Sequence, residues 1–146
     1  MKIGVERATL GTEAIQQLLV GGLARAAELN AAIHIAIMDS SADLVGFVSC
    51  EGALRLAAET ARRKAFTAVN TRMSTLAWGH YVAGIPEQER RIIDSIPGYI
   101  GADGGYTLYE NGLLLGGIGV SGADQERDAD IARAAMATAG IPESGA

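Results

Sequence analysis

Cysteine occurs once in this chain, at Cys50, histidine twice, at His34 and His80, and proline three times. One cysteine excludes an internal disulfide and any cysteine-built metal cluster. Two histidines 46 positions apart offer no ligand spacing, so no metal is expected. Aromatic residues make up only 5 %, whereas glycine alone numbers 19. Small side chains let helices, sheets and subunits approach closely, which predicts thin layers and a homo-oligomer. Long basic runs are missing too. Arg62-Arg63-Lys64 and Arg90-Arg91 are short, and the net charge of −5 opposes a phosphate backbone. A nucleic-acid interface is therefore not expected. The sequence has no apolar run of ~18 residues, and Met1 to Glu6 opens no apolar leader core. It reads as a cytoplasmic chain without membrane contact, and its length suits one domain over residues 1–146.

What is present is a clear alternation of helix and hairpin signals. Thr12 can cap a helix whose apolar positions Ile15, Leu18, Leu19, Gly22, Ala26 and Leu29 keep helical spacing, with Asn30 as its stop. Ala31 to Met38 alternates, Ile33, Ile35 and Ile37 against Ala32, His34, Ala36 and Met38, as a strand does. Asp39 to Asp43 turns the chain and Leu44 to Ser49 returns it as a hairpin. A second helix is predicted over Leu54 to Asn70, with Leu54, Ala58, Ala61, Ala65 and Val69 as its core stripe. Lys64 falls on a flank of small residues, Ala57, Thr60, Thr67 and Ala68. Leu76 to Val82 and a segment opening at Pro86 read as short helices in an irregular excursion that holds Trp78, His80 and Tyr81. Tyr106 to Glu110, then Asn111-Gly112, then Leu113 onward is a hairpin with a type I′ turn. Gly116-Gly117 suggests a bulge or a close backbone approach, and Ile118 to Ser121 finishes the strand. Ser121-x-x-Asp124 opens the last helix like a capping box, and Gly140 and Pro142 end it. Strands joined by hairpins make an antiparallel sheet, so the class is α+β.

Gly117-x-Gly119-x-x-Gly122 has the spacing of a dinucleotide loop. That loop needs an acidic residue about 20 positions on, at the end of a second parallel strand. An alanine-rich helix fills the remaining chain instead, and the preceding strand comes from a hairpin, which cannot join parallel strands. The glycines therefore read as a place of close packing. Ser121 has no Gly-x-Ser-x-Gly setting. Cys50, beside Glu51, reads as inert.

Ile33 to Asp39, Glu51-Gly52-Ala53, Lys64-Ala65-x-Thr67-Ala68, Gly104-Gly105 and Gly116 to Ala123 with Asp128 resemble the GlcG/HbpS-like family, in its order and over nearly the whole chain. The resemblance implies a profilin-like fold, an antiparallel five-stranded sheet with helices on both faces, assembled into dimers or larger oligomers. It implies small haem- or corrinoid-associated proteins, neighbours of glycolate oxidation, and members of pathways that degrade aromatic or small organic acids. Haem-binding members are expected to ligate iron by a histidine of the first helix. Thr12 to Leu29 holds no His, Cys, Tyr or Met, so haem is disfavoured and no cofactor is expected.

The catalytic candidates are Lys64, Glu51 and His80. A partly desolvated lysine can hold a carboxylate or exchange a proton, and a carboxylate or imidazole can move one. His34, Thr67, Tyr106, Glu110, Gly119 and Asp128 are candidate ligand contacts. The favoured reading is a small catabolic enzyme that binds a small carboxylate and acts by proton transfer, as a tautomerase or hydrolytic deaminase. The alternatives are a non-enzymatic haem or tetrapyrrole binder in sensing or storage, and a structural oligomeric module.

Overall fold

The computed structural model describes residues 1–143. Its elements run α1 (Thr12–Glu28), β1 (His34–Asp39), β2 (Leu44–Ser49), α2 (Leu56–Thr71), α3 (Thr75–Gly84), α4 (Glu87–Asp94), β3 (Gly105–Glu110), β4 (Leu113–Ser121) and α5 (Gln125–Thr138). The sheet has the order β2-β1-β4-β3 with every pair antiparallel. Two hairpins thus lie side by side, joined by β1 and β4. Helix α2 covers one face, and α1 and α5 pack together on the other.

Strand alternation divides the core between these faces. Ile33, Ile35, Ile37, Ile118 and Val120 point to α1 and α5, where they meet Leu18, Leu108 and Ile131 in the larger cluster. Each such side chain, wholly buried, contributes roughly 1.5–3 kcal/mol. Ala36 and Met38 point the other way, onto Ala61, Ala65 and Val69 of α2. Small residues give little hydrophobic burial apiece, and what they provide is proximity. Gly119, paired with Ala36 on one side and Gly105 on the other, sits directly under α2. A Cβ there would collide with Ala61 O and lie 2.6 Å from Ala65 N.

The Asn111-Gly112 turn forms as its sequence predicts, with φ of 51° and 77°. Four expectations need correction. Among the described residues the sheet has four strands, not five. The segment between α4 and β3 is committed elsewhere, with Ile100 N donating to Thr67 Oγ1 and Gly105 N to Thr75 Oγ1. The cap of α1 is Gly11, not Thr12, and the cap of α5 is Asp124, whose side chain accepts from Arg127 N. Ser121 is instead the last residue of β4. The buried stripe of α2 is rotated toward the flank that holds Lys64. Ala57, Lys64, Thr67 and Ala68 are buried with Ala61, Ala65 and Val69, whereas Leu54 lies outside the helix and exposed.

Candidate functional site

Lys64, Gly119 and Asp128 come together between α2, β4 and α5. Lys64 Nζ donates to Val120 O at 2.8 Å and to Asp128 Oδ2 at 3.1 Å. Asp128 Oδ1 accepts from Ala123 N at 3.0 Å. Both side chains are 3 % exposed. Burial pulls the lysine below its ordinary range and pushes the aspartate up, and in each case the partner's charge opposes the shift. The lack of a side chain at Gly119 lets α2 descend far enough for the ammonium to reach β4, and Gly104 leaves room beside Nζ. The pair fastens α2 to the opposite helix layer across the end of the sheet.

His34 is buried in mid-sheet, and both ring nitrogens are engaged. Nε2 donates to Leu54 O at 2.8 Å, since a carbonyl can only accept, and Nδ1 lies 2.7 Å from Ser49 Oγ. Phe47 stacks on the ring at 6.0 Å. Thr67 is buried on α2 and takes the Ile100 amide. Tyr106 is buried on β3, and its hydroxyl accepts from Arg133 Nη1 at 3.1 Å. Burial raises the pKa of this phenol. Glu51 is exposed in the turn before α2. Glu110 is exposed at the end of β3, beside a cavity of about 400 Å³ that it lines with Leu10, Leu115 and Ile141.

His80, unlike the buried residues, is exposed on a helix. It lies on α3, which turns Thr75 inward and sets Trp78 against Tyr81 and Tyr99 at 5.5 and 5.6 Å. At 100° per residue, His80 shares the outward face with Leu76, Ala77, Ala83 and Gly84, and all five are exposed. An open imidazole on an apolar, small-residue helix face can ligate iron or exchange a proton. Sequence reasoning singled out His80 and Trp78 but missed Phe47, Tyr99 and Arg133. The only advance signal for Phe47 was its place in an alternating strand opposite Ala36.

The geometry thus presents an α+β sheet protein in which one histidine is locked and one is open. The profile of the family described as "Haem degrading protein HbpS-like" matches residues 10–137, so this chain belongs to the HbpS-like family. It is 32 % identical over 136 residues to the corrinoid adenosyltransferase PduO of Citrobacter freundii, and 29 % identical over 130 residues to that of Salmonella typhimurium. The matches cover 91 % and 87 % of this chain and 40 % and 38 % of those proteins, so the chain spans well under half of either curated relative. Among solved structures it is similar to the PduOC–haem complex, with TM-score 0.82, 27 % identity and coverage of 93 % of this chain and 99 % of that one. It is likewise similar to HbpS, with TM-score 0.83, 26 % identity and coverage of 92 % and 89 % for the Streptomyces reticuli double mutant.

These relatives correct two expectations. The favoured tautomerase or deaminase gives way, because the relatives carry the names of a corrinoid adenosyltransferase, a haem complex and HbpS. The expectation of no cofactor gives way to the same comparison. It rested on a first helix without donor side chains, and that observation bears on α1 alone.

Proposed function

We propose that this protein binds haem, with His80 as the residue that meets the iron. The observation that carries the reading is the match to a haem complex over 93 % of this chain and 99 % of that one. The donor set fits. Histidine is a common axial ligand of haem iron, and His80 stands exposed on an apolar face, whereas His34 would have to surrender Leu54 O or Ser49 Oγ to bind a metal. Leu76, Ala77, Ala83 and Gly84 around His80 offer a low apolar floor against which a planar macrocycle loses little packing. Bound haem supplies a redox-active iron. The carboxylate partner foreseen from the sequence is, on this reading, met by the two haem propionates. The reading keeps the protein cytoplasmic, supported by an unpaired Cys50, and homo-oligomeric, supported by exposed apolar side chains such as Leu44, Val45 and Phe47. Among the described residues no helix is long and apolar enough to cross a membrane.

Titration with haemin tests it, with iron-free protoporphyrin IX as the comparison. The expected result is a saturable, shifted Soret band at one haem per chain and clearly weaker binding of the iron-free ring. No saturable change at micromolar haemin overturns the proposal.

A further inference from the structure

The two edges of the sheet are treated differently. At the β3 end, Gly105 N donates to Thr75 Oγ1 of α3, and the Thr107 side chain donates to Ala68 O of α2 over the sheet face. At the other end, β2 pairs with β1 alone. Its outer row of backbone N–H and C=O groups faces outward; a bulge at Val45 interrupts the row near its start, and from Gly46 to Ser49 no charged residue or proline blunts it. Leu44, Val45 and Phe47 are 41, 40 and 37 % exposed. Next to them runs an open groove of about 480 Å³, lined by Leu44, Phe47, Ser49, Arg55, Glu59 and Arg62 among others. The exposed Leu54 and Leu56 lie at the start of α2 beside it.

We infer that β2 is the strand through which two copies of this chain join, edge to edge, into one continuous antiparallel sheet of eight strands. This deepens the oligomer reading given above and is independent of haem. Three observations select a second copy as the occupant. An unpaired edge strand is satisfied most completely by another strand, and a two-fold axis beside β2 supplies an identical one in antiparallel sense. An axis perpendicular to the sheet keeps both α2 helices on the same face. Centred on Phe47, it sets that ring against its symmetry mate and Gly46 opposite Val48, within the part of β2 that keeps regular register. The groove rim carries both signs of charge, because Glu59, which also holds Arg63 Nε of its own helix at 3.3 Å, stands between Arg55 and Arg62 on α2. A two-fold can therefore bring the glutamate of each copy toward an arginine of the other. That rim carries two arginines and one glutamate in a chain of net charge −5, so the net negative charge of the chain does not fall on this face.

Two measurements on the purified full chain test this. In sedimentation velocity, the wild type sediments at twice the 15.1 kDa chain mass or a multiple of it. Leu44→Lys with Val45→Lys raises the dimer dissociation constant at least a hundredfold, with far-UV circular dichroism and Trp78 fluorescence unchanged. In the Cys50→Ser background, Phe47→Cys forms an intermolecular disulfide under mild oxidation, because facing residues of an antiparallel pair lie within disulfide reach. Val20→Cys, exposed on α1, forms none. A monomeric wild type overturns both the oligomer reading and this interface. An oligomer whose mass survives the lysines, or in which Phe47→Cys fails to cross-link, overturns the interface alone. A peptide of another protein as the natural occupant would appear as the first of these outcomes.

Discussion

Lys64 and His80 are both chemically capable side chains on helices beside the sheet, yet the fold uses them in opposite ways. On the α2 face, the ammonium of Lys64 is enclosed with Asp128 and Val120 O, and Asp128 in turn holds the Ala123 amide. On the outward face of α3, His80 stands exposed among small apolar residues. Removing two charges from water costs several kcal/mol per ion before their attraction repays it. A pair buried that deeply is held by its surroundings and contributes to specifying one arrangement of α2 over the sheet. A group with no such commitment can change partners at little cost, which is what ligand binding requires. Residue type alone marks both kinds of residue alike. Only the partners distinguish them.

The contrast can be broken from its buried side first. Lys64→Met leaves Asp128 buried without its counter-charge, and we expect a loss of about 3–5 kcal/mol in chemical denaturation. Adding Asp128→Asn, which removes the lone charge and keeps an oxygen for the Ala123 amide, should recover part of that loss. A single mutant as stable as the wild type would show that the pair does not hold α2 in place.

Gly119→Ala tests the close approach on which the pair depends. Its Cβ would press on Ala61 O and Ala65 N, backbone atoms that cannot rotate away. The expected cost is about 1–3 kcal/mol, read as a lowered melting temperature. Unchanged melting would mean that α2 rides higher over β4 than described.

Farther from the core, Arg25 on α1 grips Asp130 on α5 through Nε–Oδ1 at 3.0 Å and Nη2–Oδ2 at 2.9 Å. The guanidinium holds this carboxyl below its ordinary value of 3.8. A depressed folded pKa means that the contribution is present above the unfolded value and is lost as pH falls through the folded one. Arg25→Gln should thus lower stability slightly at pH 7 and leave it equal to wild type in strong acid, with solvent screening keeping the difference small. A gap that widens in acid would reverse the sign and contradict the pairing. The least effect is expected at His80, where replacement by alanine should alter stability by no more than about 0.5 kcal/mol. A larger loss would make that histidine part of the frame.

Much of the frame was legible because local signals carried it. Asn111-Gly112 specified its turn, the alternation of Ile33, Ile35 and Ile37 specified β1 and its inner face, and Asn30 stopped α1 with a positive φ. The elements that were misread depend on distant partners. The fifth strand that the family resemblance implied is missing among the described residues, and the stretch before β3 is tied to the helices instead, its Ile100 amide going to Thr67 on α2. Asp124 rather than Ser121 caps α5 because β4 continues through Ser121 to pair with His34. Among the site residues, the sequence drew attention to Lys64 and Asp128 separately. That they meet, 64 positions apart, follows from α2 crossing the glycines of β4. The locking of His34 by Leu54 O was invisible for the same reason. The expectation of no cofactor rested on the empty first helix, and the likeness to a haem complex overturns it.

The most direct test of the open histidine is a haemin titration of His80→Ala beside the wild type, followed at the Soret band. The expected result is a spectrally distinct, at least tenfold weaker complex in the variant, with folding intact and folded His34→Gln retaining the wild-type spectrum. Identical Soret positions and affinities for wild type and His80→Ala would contradict it.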